Sequence, residues 1–106
     1  SASLLHLPRH VAPRAAAELA RVARLGAPVV VFLKERMPER PAQEVLRYPG
    51  QDDESARRLF TYYTADEART LFTDVGLMVD DISAAPNASD PTGPGWLALL
   101  ARKPAE

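Results

Sequence analysis

His6 and His10 stand four residues apart, the spacing at which one helix face offers two imidazoles to a metal ion. Pro8 lies between them and no carboxylate completes a helical motif of the HExxH kind, so the pair predicts no metal site. His6 alone is the better candidate for chemistry. It sits in the apolar stretch "SLLHLP" at a predicted strand end, where open α/β sheets place their reacting groups, and an imidazole changes charge near neutral pH. The plainer alternative is a surface or hydrogen-bonded loop histidine. Phe60, Tyr62 and Tyr63 crowd together just before a predicted helix start. Core packing accounts for one or two of them, and a phenol with stacking area and a polar tip also suits a pocket wall.

Other suggestive groups have structural explanations. Asp80 and Asp81 resemble a carboxylate pair, but neighbours on a strand point to opposite faces and cannot easily share one reaction. Asp52, Asp53 and Glu54 precede Arg57 and Arg58 and read as a solvated loop with local ion pairing. Gly93 and Gly95 flank Pro94 and lead into a strand, whereas a phosphate-binding glycine turn opens a helix. No G-x-S-x-G nucleophile motif is present.

The elements that must position these residues follow from periodicity. Ala15, Leu19 and Val22 recur at helical spacing between Val11 and Arg24, with Pro13 in the first turn and Gly26 past the end. The run Val29-Val30-Val31-Phe32-Leu33 carries no polar alternation, so a strand over 28–34 is predicted to be covered on both faces, the habit of parallel sheets between helix layers. Residues 36–58 carry three prolines and many charges, and read as an irregular excursion with one short helix near 42–47. Thr64 and Glu67 form a capping-box pattern for a helix over 65–75, whose apolar face is Ala68, Leu71, Phe72 and Val75 and whose stop is Gly76. Strands over 77–83 and from Trp96 onward, joined by a proline- and glycine-rich loop, complete the order helix, strand, excursion, helix, strand, loop, strand.

One domain of 106 residues with 13 basic and 14 acidic side chains has no basic field for nucleic acid or anionic membrane. No apolar run approaches the roughly 20 residues of a membrane helix. The lack of cysteine excludes disulfides and thiolate chemistry and suits a cytoplasmic setting.

Taken jointly, these segments resemble the C-terminal half of a class I S-adenosylmethionine-dependent methyltransferase. "SLLHLP" resembles the segment after that family's fourth strand, "AAAELARVARLGAPVVVFLKE" its next helix and fifth strand, "RLFTYYTADEARTLFTDVGLMV" a helix and sixth strand, and "GWLALLARK" the seventh. The resemblance implies an α/β fold, a partial Rossmann-like sheet with an antiparallel final hairpin. It implies methyl transfer to a small-molecule acceptor, with Ser3, Leu4 and His6 against the cofactor, His6 as candidate base, and Phe60, Tyr62 and Tyr63 around the acceptor. The family's glycine-rich loop and ribose-binding acid have no counterpart in these residues, and its fifth strand lies between the fourth and seventh. The expected partner is therefore a complementary half, or a second copy paired along the 28–34 strand edge. A noncatalytic docking module derived from such a half is the alternative.

Overall fold

The computed structural model describes residues 7–47, 57–88 and 92–104. Two helices and five strands follow in the order α1 (Ala12–Val22), β1 (Pro28–Glu35), β2 (Gln43–Arg47), β3 (Arg57–Tyr63), α2 (Ala65–Thr73), β4 (Met78–Ala85) and β5 (Trp96–Arg102). The strands form one open mixed sheet, β2-β3-β1-β5-β4. β1 runs antiparallel to β5 from Pro28 to Lys34 and, among the described residues, parallel to β3 only at Lys34 and Glu35. β4 and β5 form the expected antiparallel hairpin.

The stretch expected as a short helix near 42–47 is strand β2, and the aromatic crowd is the end of strand β3, so the supposed excursion holds an antiparallel ribbon. Five residues are too few for periodicity to separate helix from strand, and the deciding bonds come from partners such as Thr61 opposite Gln43 and Phe60 opposite Glu44.

Helix α1 also turns differently from its leucine pattern. Its buried stripe is Ala12, Ala16 and Ala20, with Ala15 and Leu19 at the flank and Val22 exposed. Small side chains let the helix approach the sheet closely, and that approach sets its rotation. Helix α2 buries Ala68 and Phe72, with Leu71 and Val75 packed beside them, and both halves of its capping box are formed. Gly76 ends it at φ +90°, a left-handed turn that a Cβ would strain.

Strand register sorts the side chains into two faces. Val29, Val31 and Leu33 lie with Ala101, Leu99 and Leu97 beneath the two helices. Val30, Phe32 and Lys34 lie with Leu100, Ala98 and Trp96 on the other face. A bulge at Asp80 lets Val79 and Ile82, an odd and an even position, both reach the helix-covered core. Asp80 then binds Arg102 Nε at 3.2 Å, and Asp81 stands opposite Leu100, so the two acids form no shared site. Gly95 is required by proximity: a Cβ there would meet the Ala85 carbonyl oxygen at 2.6 Å.

Candidate functional site

Polar side chains converge where β1 ends, beside β3 and the start of α2. Strand alternation sends Tyr62 and Tyr63 in opposite directions. Tyr62 shares a face with Lys34, its partner on β1, and Tyr63 shares the helix-side face with Glu35. Both rings are buried, at 2% and 3% exposure. Phe60 and Glu44 are register partners across the ribbon, and Glu44 accepts a 2.6 Å hydrogen bond from the Tyr62 hydroxyl. Burial, reinforced by that glutamate, pushes the Tyr62 phenol far above its usual range, so it remains a protonated donor. Burial also raises the Tyr63 phenol, with Arg9 acting against it and Glu67 with it. Among the described residues the buried Tyr63 hydroxyl has no hydrogen-bond partner.

Arg9 ties these elements together. Its Nη1 donates to the Tyr62 carbonyl at 2.6 Å, its Nη2 donates to Glu67, and its guanidinium lies 4.9 Å from the centre of the Tyr63 ring. Its backbone N–H reaches Gln43 Oε1 at 3.2 Å. Thr61, fully buried, donates to the Leu7 carbonyl at 2.5 Å. Residues 7–9 are thus held by four hydrogen bonds to three separate elements, β2 through Gln43, β3 through Thr61 and Tyr62, and α2 through Glu67. Glu67 sits half-buried at the crossing point. Burial opposes its ionisation, but the Thr64 N–H and the guanidinium of Arg9, with Arg36 at 3.9 Å, outweigh that and hold its carboxyl below the usual carboxylate range.

Ser3, Leu4 and His6, expected near the cofactor, lie outside the described residues. His10 is exposed, and among the described residues no three His, Cys, Asp or Glu side chains are grouped to hold a metal. Phe60 and Tyr62 share one face, whereas Tyr63 belongs to the core beneath the helices. Arg9 and Glu44 had no sequence signal as site residues, because their contacts span 53 and 18 positions. Glu67 was visible only as a cap.

The described residues do not fit the cradle of a nucleotide-like cofactor. Among the described residues helix α2 alone directly follows a strand, and its first turn is already closed by Thr64 and Glu67, with no glycine to admit a ligand. Among the described residues no helix is long and apolar enough to cross a membrane.

No protein-family model and no curated protein sequence matches the chain. Among solved structures, a SAM-dependent methyltransferase from Methanosarcina mazei superposes with a TM-score of 0.76 at 16% identity, over 97% of this chain. The chain spans only 56% of that protein. The fold is therefore a mixed, open α/β sheet of the methyltransferase-like kind.

Proposed function

We propose that this chain is the C-terminal half of a class I methyltransferase and that, completed by an N-terminal half, it serves methyl transfer from S-adenosylmethionine to a small-molecule acceptor. The observation that carries the reading is the superposition of nearly the whole chain on part of a SAM-dependent methyltransferase. The cofactor supplies an electrophilic methyl group, and the complementary half would hold it. This chain would wall the acceptor pocket with Phe60 and Tyr62, on the β3 face that Tyr63 does not share. Tyr62, held by Glu44, would position an acceptor and exclude water without taking a proton. Ser3, Leu4 and His6 would lie near the transferred methyl, with His6 as the base. Arg9 would set the position of that segment through its bonds to β3 and α2.

Calorimetric titration tests the division of labour. The 106-residue chain alone should show no low-micromolar binding of S-adenosylmethionine, and co-expression with the polypeptide encoded upstream of Ser1 should restore binding and methyl transfer. Low-micromolar binding by the monomeric chain alone would overturn the half-fold reading. The edge of β1 from Pro28 to Leu33, unpaired on the β3 side among the described residues, favours a second reading as a docking module that acts without catalysis.

A further inference from the structure

Between helices α1 and α2, on the helix-covered side of the sheet, runs a groove of about 420 Å³ walled by Ala12 and Pro13 of α1, by Leu71 of α2 and by Tyr63. The charged groups around it are unequal, with Asp66, Glu67 and Asp74 of α2 set against Arg9 alone. Arg9 is already engaged by Glu67 and by the Tyr62 carbonyl. Asp66 and Asp74 therefore remain, both exposed and neither in an ion pair among the described residues. Asp66 suits the positive N-terminal end of α2. Asp74 caps the C-terminal end, where the helix dipole disfavours an acid, so the helix itself gives no reason for it. Tyr63 adds to this wall a side chain 3% exposed, whose buried hydroxyl has no hydrogen-bond partner among the described residues.

We propose that this groove binds a linear polyamine, with one terminal ammonium on Asp66, the other on Asp74, and the hydrocarbon between them on Leu71, Pro13 and Ala12. Tyr63 lies on the opposite face of β3 from the Phe60 and Tyr62 wall, so the site is separate from the methyl-transfer reading and does not depend on it. Length decides the class of ligand. Eight positions of helix separate the two acids, a rise of about 12 Å, which a single ammonium or a metal ion cannot bridge and an extended triamine can. An N–H of the bound chain supplies the donor that the Tyr63 oxygen lacks. Past Asp74 the next hollow presents Arg21 and Lys103, so positive charge ends the site there. Arg9 and Arg36, gathered around Glu67, bound it near the other end.

Calorimetric titration of the 106-residue chain with spermidine at low ionic strength should show one saturable site that weakens as salt rises. Butylamine and magnesium ion, which present charge at one point, should bind about tenfold more weakly or less well still. Asp66→Asn combined with Asp74→Asn should weaken spermidine about tenfold and leave the circular dichroism of the chain unchanged. Tyr63→Phe should weaken it about threefold without lowering Tm. Asp81→Asn, which removes an acid on β4 outside the groove, should leave spermidine binding as it was. Equal affinity for spermidine and magnesium ion would reduce the effect to general charge attraction and overturn the site. So would a loss from Asp81→Asn as large as that from the double variant, or the lack of any saturable binding of spermidine to the folded chain.

Discussion

The two faces of β1 carry nearly the same chemistry and meet opposite fates. Val31 and Leu33 are fully buried beneath α1 and α2, while Val30 and Phe32, their immediate neighbours, are exposed. Leu99 and Leu100 repeat the contrast on β5. Composition along the strand therefore does not fix its burial, because among the described residues the two helices cover only one of its faces. A continuous β-branched run is compatible with one covered face and one exposed face on the same strand.

The strongest way to break this comparison is to truncate one side chain on each side. Phe72 on α2 is fully buried against the sheet, and Phe72→Ala should cost about 3–5 kcal/mol, a large share of the stability of a domain of this size. Phe32→Ala on the open face should change the stability of the chain alone by less than about 1 kcal/mol. Thermal melts followed by circular dichroism measure both. Equal losses would mean that the open face is covered within the chain, and the contrast would fail.

Much of this architecture was legible before any coordinates. The strand at 28–34, the Thr64–Glu67 box and the final hairpin each had a local signal and each stands in the fold, whereas the expected cover on both faces of that strand does not, since Val30 and Phe32 are exposed. The ribbon of β2 and β3 was not legible, because Gln43 and Thr61 become neighbours only through a pairing across the 48–56 segment. Nor was the rotation of α1, where the choice between an alanine stripe and the larger Leu19 and Val22 is made by the distance to the sheet. For the candidate site, the aromatic cluster was visible but its division was not: once Phe60 to Tyr63 is known to be strand, alternation separates Tyr62 from Tyr63 at once. Arg9 belongs to the kind of residue that a sequence hides, since each of its bonds joins it to a segment more than thirty positions away.

Arg9 also sharpens the comparison, because it stands where the helix-side core meets the end of the sheet. Arg9→Ala removes two charge-assisted bonds and the contact with Tyr63, and should cost about 1–3 kcal/mol. The Arg21–Glu18 pair on the exposed face of α1 should leave the melting curve unmoved when it is removed. The Arg9 effect should depend on pH through Glu67. Its folded pKa is depressed, so its contribution is present above the unfolded value of about 4.3 and disappears as pH falls through the folded value. Glu67→Gln should therefore lower the melting temperature at pH 7 and flatten its decline in acid. An acid profile identical to that of the unaltered chain would remove Glu67 from the clamp.

The smallest expected effects discriminate best between the two faces, because they come from adjacent residues and the same substitution. Tyr62 sends its hydroxyl to Glu44, and Tyr62→Phe leaves that carboxylate without its donor at a cost of about 1–2 kcal/mol. Tyr63 buries a hydroxyl that has no partner among the described residues, so Tyr63→Phe removes a desolvated polar group and should leave stability unchanged or raise it by up to about 1 kcal/mol. The alkaline limb separates them again. The folded Tyr62 phenol is raised, so its stabilising contribution is complete below the unfolded value of about 10 and is lost as pH rises through the folded value. Tyr62→Phe should accordingly show a shallower loss of stability above that pH than the unaltered chain. In a reconstituted enzyme the same pair should divide function as it divides the fold, with Tyr62→Phe altering acceptor KM or kcat and Tyr63→Phe altering neither. Matching losses from the two substitutions, in stability or in turnover, would place both phenols in one environment and defeat the assignment of the acceptor wall to the Tyr62 face.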